Sequence, residues 1–471
     1  MHVLPIRKPT LVLFSSLSLL FISSTANSAG FAIIESSASG MGKAFAGAAA
    51  AAEDASTVWF NPAGMTYLGK SLNGKSQITQ AGHIVSVKSK FTDKGSQAPA
   101  ALNATLTGKN ADDRVTSFIP NLYYVHPIND RLHFGVGMNG PFGSKVLYED
   151  DWIGRYQATD TDLLTINVNP SLSWKVNERL SIGGGISAQY VKLKELSSAI
   201  DSVAVCRQAA LAVAAQTNSA SLIDFCNATY PNAGQAETDT QSTLKGDDVS
   251  FGYNLGLLFE PSKLTRIGLS YRSKIKHEVD GNVKFKLDPG LLPVIAATGT
   301  TRFDNRDIKS TIELPDSLSF SVAHKVNDKL ELLGDVTWTG WQSFDELRVT
   351  ETDGVTAVTV VPQEWDDVFR FSIGANYKYS DKLTLRTGVA FDEEPIPSAA
   401  LRTPRIPGND RTWVSFGAGY KINKKLNLDF GYSHLFLDET PIDNPGENGF
   451  AVRGLYDSSV EILSAQVNYN F

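Results

Sequence analysis

Residues 413–433 read WVSFGAGYKINKKLNLDFGYS. Val414, Phe416, Ala418 and Tyr420 alternate with Trp413, Ser415, Gly417 and Gly419. A polar turn, KINKKL (421–426), follows. Leu426, Leu428, Phe430 and Tyr432 then alternate with Asn427, Asp429, Gly431 and Ser433. Period two puts each set on its own face of a strand. One face is apolar and ends in aromatics. The other is polar and rich in small residues. The stretch predicts a hairpin whose two strands share one apolar side.

The same unit recurs. HPINDRL (126–132), KVNERL (175–180), EPSKLTRI (260–267), KVNDKL (325–330) and YSDKL (379–383) repeat the polar turn and the Lys/Arg-Leu restart. Asn, Asp, Ser and Pro favour tight turns, each for its own local reason. Phe369, Phe371, Ile373, Ala375 and Tyr377 alternate with Arg370, Ser372, Gly374 and Asn376. Alternating segments of about ten to fifteen residues suit tilted membrane strands. Six turns join twelve strands; one more at 76–91 and a last at 457–471 make fourteen. An even number leaves both ends on the short-turn side. The other connections are long: 92–114, 144–159, 197–245, 282–307, 351–364, 396–409 and 439–456. Short turns on one side and long loops on the other predict an all-β transmembrane barrel of the outer-membrane kind. A propeller would repeat a blade motif, and none recurs.

Composition narrows the alternatives. Of 471 residues, 42% are hydrophobic and only 20% charged, with a net charge of -7. That balance excludes a basic nucleic-acid binder. The two cysteines exclude a disulfide-stapled miniprotein. A helical membrane protein needs apolar runs of about 18 residues, and none occurs past the first thirty. Arg7 and Lys8 precede an apolar run at 11–22, and Ala26-Asn27-Ser28 offers small residues for cleavage. Residues 1–28 are therefore expected to be a signal peptide. Export reaches an oxidising compartment, where Cys206 and Cys226 can pair. The last strand alternates Leu463, Ala465, Val467, Tyr469 and Phe471. A terminal aromatic there resembles the signal read by the outer-membrane assembly machinery, a partner during biogenesis.

Residues 29–72 do not alternate. They are rich in Ala and Gly, with a short helix expected over 43–52. A segment of this kind can plug the lumen, which otherwise conducts water. Here the motifs become specific. Ala29-Gly30-Phe31, the run 36–42 (SSASGMG), Glu53-Asp54-Ala55 and Asn61-Pro62-Ala63 resemble the hatch of the long-chain fatty acid transporter family (FadL/TodX group). Trp152 with 154–158 (GRYQA), NVNP (167–170), DVTWTGWQSF (335–344) and RTPRIPGNDRTW (402–413) extend the resemblance along the chain.

The resemblance implies a fourteen-stranded barrel at 73–471 with a hatch at 29–72, in the outer membrane of a Gram-negative cell. It implies passive transport of hydrophobic compounds, long-chain fatty acids or hydrocarbons, with no cofactor and no metal. Substrate is captured on an apolar outer groove, passed to a pocket by the N-terminus at Phe31, and released sideways into membrane lipid at a kink in the third strand. The Asn61-Pro62-Ala63 motif is expected near that kink.

Candidate residues follow. The loops at 197–245 and 282–307 supply Val203, Leu211, Phe225, Leu291, Leu292 and Ile295 for the capture groove, and a Cys206–Cys226 bridge would brace it. Gly140-Pro141-Phe142-Gly143 follows the third strand. Pro lacks a ladder donor, so Pro141 marks either the end of that strand or the gate. Arg272, Arg370, Arg386 and Arg411 face inward by parity, with Asp335 and Asp429, while Lys192 and Lys194 face outward. An internal ion network is the plain reading of the arginines; Arg411 is the candidate for a carboxylate head group. No GxSxG, HExxH or CxxC motif is present, so an outer-membrane lipase is a lesser alternative. A general porin is another, separable by its conductance.

Overall fold

The computed structural model describes residues 30–102, 104–217 and 221–471. The expected leader at 1–28 and Ala29 lie outside them. Fourteen antiparallel strands close into one barrel. In chain order they begin with β1 (Gln77–Asp93), β2 (Asp112–Pro127), β3 (Leu132–Asn139, resuming at Gly143–Leu147), β4 (Asp160–Lys175) and β5 (Leu180–Ile200). Next come β6 (Thr240–Ser262), β7 (Thr265–Arg272 and Ile275–Lys286), β8 (Arg306–Leu314 and Ser317–Lys325), β9 (Leu330–Thr339 and Glu346–Glu351) and β10 (Ala357–Pro362 and Val368–Lys378). The last are β11 (Leu383–Asp392), β12 (Arg411–Lys421), β13 (Leu426–Leu437 and Thr440–Asn444) and β14 (Val452–Asn470).

Closure follows from the solvent. Hydrocarbon offers no partner to a backbone N–H or C=O, so a spanning sheet must have no free edge. β14 meets β1 along the whole seam, from Gln77↔Asn470 to Asp93↔Gly454. Ser76 and Phe471 then exchange backbone hydrogen bonds at 3.0 and 3.1 Å, fixing both ends at the short-turn rim.

The recurring turns share one device. The side-chain carbonyls of Asn129, Asn177, Asn327 and Asn423 accept from the amides of Arg131, Arg179, Lys329 and Lys425 at 2.8–2.9 Å. Ser262 and Ser380 accept from Leu264 and Lys382 at 3.2 and 3.3 Å. An Asx-type bond fixes the chain reversal locally, which is why these turns were legible.

The faces fall as the alternation predicts. Phe416, Phe430 and Ile373 are exposed on the outside, while Ser415, Ser433, Asp429 and Ser372 are buried inside. What fills the lumen is the N-terminal segment. α1 (Ala38–Met41), α2 (Ala48–Ala51), α3 (Thr57–Phe60) and α4 (Gly64–Ser71) lie inside the wall, almost wholly buried. The single helix expected over 43–52 is not formed. Ala44, Phe45 and Ala52 sit at φ of 50°, 56° and 48°, a left-handed conformation that ends helices. Barrel arginines hold it there: Arg370 donates to the Ala44 carbonyl at 2.6 Å and Arg266 to the Ala50 carbonyl at 3.0 Å.

The inward glycines now have a reason. A Cβ on Gly183 would lie 2.5 Å from the Ala63 nitrogen, and one on Gly431 would lie 2.8 Å from the Ala38 oxygen. Gly388 and Gly268 meet the Lys43 and Ala49 carbonyls in the same way. The lumen wall is stripped of side chains where the inserted segment passes. Gly388→Leu should therefore displace that segment without opening the sheet. The variant should keep the heat-modifiable gel mobility of a folded barrel and gain steady single-channel conductance; a silent channel would contradict the packing.

Candidate ligand cavity and wall opening

The inward arginines serve the inserted segment. Arg386 donates to Asp429 at 2.7 Å and reaches Glu53 at 3.4 Å, and Lys43 pairs with Glu53 at 2.6 Å. Arg272 donates to the Trp59 carbonyl at 2.8 Å and lies 3.4 Å over the Trp59 ring. These contacts form the internal network that parity suggested. Pairing matters here, because an unpaired charge in such a site costs several kcal/mol, or about 3–5 when one partner is removed.

Above this network the inner faces of β4 to β9 turn apolar. They border a partly open apolar cavity, whose empty space is about 820 Å³ when the part open to solvent is counted. Leu163, Leu196, Leu244, Ile308, Ile312 and Val349 line it, with Phe31 and Phe344 at one side. Phe31 is the centre of an aromatic cluster. Its ring lies 4.8 Å from Trp341, 5.3 Å from Phe344, 5.7 Å from Trp365 and 6.1 Å from Phe142. The wall bends inward to deliver these rings: β9 is interrupted at 340–345 and β10 at 363–367. Trp341 and Phe344 lie within the motif at 335–344. Trp365 carries no signal in the sequence, because it follows a loop segment, 351–364, that does not alternate.

Phe31 is also tied to the third strand. β3 breaks at 140–142 and resumes at Gly143, so the strand does not end at Asn139. Ile33 donates to the Pro141 carbonyl at 2.7 Å, and Gly143 donates to the Phe31 carbonyl at 2.8 Å. Thr165 of β4 holds the bend from the other side, donating its amide to the Phe142 carbonyl at 3.0 Å. The consequence is a breach. β2 pairs with β3 only from Leu122↔Met138 to Pro127↔His133, so residues 112–121 of β2 have no ladder pairing with the third strand. The β2–β3 ladder is interrupted at the level of Phe31.

The Asn61-Pro62-Ala63 motif is placed differently from expectation. The Asn61 side-chain amide donates to the Ala49 and Leu257 carbonyls at 2.7 and 3.0 Å. Pro62 and Ala63 lie against Gly256 and Gly183. The motif is anchored on β5 and β6, where paired glycines leave room for it. The residues that meet the kink are Phe31 to Ile33.

The outer loops form a cap rather than an open groove. α5 (Ser202–Thr217), α6 (Ser221–Thr229) and α7 (Leu292–Thr298) pack together, and a disulfide joins Cys206 to Cys226 with a Cα separation of 5.7 Å. Val203 and Leu291 are sealed in this small core, with Phe225 and Ile295 partly buried against it. Leu211 and Leu292 point outward and are exposed. Two apolar loops gain more by covering each other than by leaving a trough open to water.

Arg411 does not line the cavity. Its guanidinium is buried among the carboxylates of Asp392, Glu394, Glu35 and Asp410. Parity turned it inward correctly, but the acidic loop beside it takes its charge. Arg405 does line the cavity, together with Lys245 and Lys309. It donates to the Asp160 and Gln157 carbonyls at 2.8 and 2.9 Å. Among the described residues it has no ion pair. Burial pushes Arg405 down to about 10. Arg405 lies in the motif at 402–413, and only the fold of that loop distinguishes it from Arg411.

Comparison with known proteins accords with this architecture. The family model described as "Outer membrane protein transport protein (OMPP1/FadL/TodX)" matches residues 19–471. The long-chain fatty acid transport protein of Escherichia coli O6:H1 is 30% identical over 462 residues, covering 97% of both chains. Outer membrane protein P1 of Haemophilus influenzae is 31% identical over 435 residues, covering 89% of this chain and 88% of that one. The crystal structure of a Pseudomonas aeruginosa FadL homologue superposes with a TM-score of 0.79 at 25% identity, over 94% of this chain and 99% of that one. The Pseudomonas putida toluene transporter TodX shares the fold, with a TM-score of 0.58 at 18% identity over 88% of this chain and 92% of that one.

Filling the cavity should abolish its use without touching the inserted segment. Ile308→Trp is expected to weaken binding of a hydrophobic chain at least tenfold, measured by calorimetry in detergent. Unchanged affinity would move the site elsewhere.

Proposed function

The chain belongs to the OMPP1/FadL/TodX family of outer membrane transport proteins, and from that membership we propose that it is a passive transporter of long-chain fatty acids. The family transports hydrophobic compounds across the outer membrane and is not one of enzymes. The observation that carries the finer reading is the junction at Phe31. One residue lines the apolar cavity with its ring and pairs with the broken third strand through its backbone.

The route follows from that junction. An alkyl chain enters the cavity because burying it removes apolar surface from water, at about 25 cal/mol per Å². It competes with Phe31 for Leu163, Ile312 and Phe344. Movement of Phe31 acts on Gly143 and Pro141, whose partners are the Phe31 carbonyl and the Ile33 amide. The breach between β2 and β3 then receives the ligand, which leaves sideways into lipid. No energy source is required, since the membrane is the lower free-energy state for the chain. Gly140 and Pro141 keep β2 and β3 apart; an insertion-free replacement of both by Val should restore pairing and lower uptake while leaving assembly intact.

Arg405 supports a carboxylate-terminated substrate over a neutral hydrocarbon. It is a cation at the rim of an apolar cavity, and charge-assisted bonds to a carboxylate are the strong ones. In cells lacking their own fatty-acid uptake, this protein should restore import of a labelled long-chain fatty acid. Arg405→Gln should lower affinity for the acid about tenfold, or about 1.4 kcal/mol, and leave an alkane of equal length unaffected. Equal loss for both ligands, or none for the acid, would favour a hydrocarbon transporter.

A further inference from the structure

The β6–β7 ladder is interrupted as well, four strands along the wall from the β2–β3 interruption. The β6–β7 ladder runs from Ser262↔Thr265 to Asn254↔Arg272, and one backbone bond from Ser273 to the Tyr253 carbonyl, at 2.9 Å, extends it. It resumes only at Asp247↔Asp280. Residues 248–252 of β6 and 274–279 of β7 lie between, without ladder pairing. β6 stays paired with β5 through this stretch, from Val191↔Asp248 to Ser187↔Gly252. β7 departs with β8 instead, in register from Leu314↔Ile275. Two sheets therefore part here along a wedge.

A gap in a lipid-facing wall is costly unless side chains fill it. Ile275, His277 and Val279 do so, all three buried. His277 bridges the wedge, with Nδ1 at 2.8 Å from the Asp248 carboxylate and Nε2 at 3.1 Å from the Gln189 side chain. On the lipid side the lip is apolar: Val249 is 55% and Phe251 70% exposed. On the inner side Val279 lines the cavity, beside Leu244 and Gly281. Above, the disulfide-braced cap is packed shut. Val279 on the inner side and Val249 and Phe251 on the outer side put apolar residues on both faces of this wedge.

We infer that the β6–β7 wedge is a lateral portal, clasped by His277, through which single-chain amphiphiles dissolved in the outer leaflet load the cavity. It rests on the cavity being the transport site and adds the direction of access. Aligned side chains close it without ladder bonds, so opening it breaks the Asp248 and Gln189 contacts and leaves the sheet on either side intact.

The test uses the full chain in lipid vesicles and cis-parinaric acid, an 18-carbon fluorescent acid excited by energy transfer from tryptophan. Trp341 and Trp365 stand beside Phe31 and report arrival in the cavity. A Cβ on Gly252 would lie 2.7 Å from the Ile275 side chain, so Gly252→Cys with Ile275→Cys can be joined across the wedge. Oxidised protein should load at least fivefold more slowly than reduced protein, with the same final signal. Wild type with and without reductant controls for Cys206–Cys226. Equal rates in the two forms overturn the portal. His277→Ala, which needs no new bond, should load at least twofold faster; an unchanged or slower rate also overturns it. If wild type gives no transfer signal at all, the cavity itself is not the site, and the transport reading fails first.

Discussion

In hydrocarbon a backbone polar group has no partner except another backbone, and every feature of this chain answers to that rule. It closes the sheet from Gln77↔Asn470 onward. It also makes interruptions informative. Ladder pairing lapses between β2 and β3 and between β6 and β7, and where β9 bends inward it lapses against β8 and β10 as well. The first two interruptions border the same apolar cavity, and each is held by specific groups: Phe31 and Thr165 at one, His277 and Asp248 at the other.

Closure creates the second problem, a lumen too wide for its own side chains. The chain fills it with its N-terminal residues, and the wall pays for that insertion in glycine and arginine. Glycines at 183, 268, 388 and 431 admit the segment's backbone. Arginines 266, 272, 370 and 386 take its carbonyls and carboxylates. The cavity begins where these polar contacts stop, so the boundary between plug and pocket is an electrostatic one. Phe31 stands on it, which lets one residue couple an occupied cavity to the strand beside the breach.

Much of this was legible beforehand, for local reasons. Alternation is a property of consecutive residues, so Leu426 to Ser433 could be assigned to faces without the fold. The Asn and Ser turns close on their own amides, so six hairpins and the strand count followed. Arg272, Arg370 and Arg386 could be turned inward by parity alone. Parity could not say what each arginine meets. Arg411 was the candidate for a ligand because nothing in 402–413 reveals that Asp392 and Glu394 would crowd it while Arg405 reaches the cavity. Val203 and Leu291 suggest a groove in the sequence because two separate loops do not show there that they cover each other.

The sequence by itself thus determined the membrane barrel, its fourteen strands, its inner and outer faces and the cysteines able to pair. Those depend on spacing along the chain. Only the tertiary structure decided where the cavity lies, that Trp365 packs on Phe31 beside it, that Asn61 anchors on β6 rather than at the kink, and where the ladders of the wall lapse. These depend on which strands fail to pair, and a missing hydrogen bond between residues far apart leaves no mark on either one's neighbours.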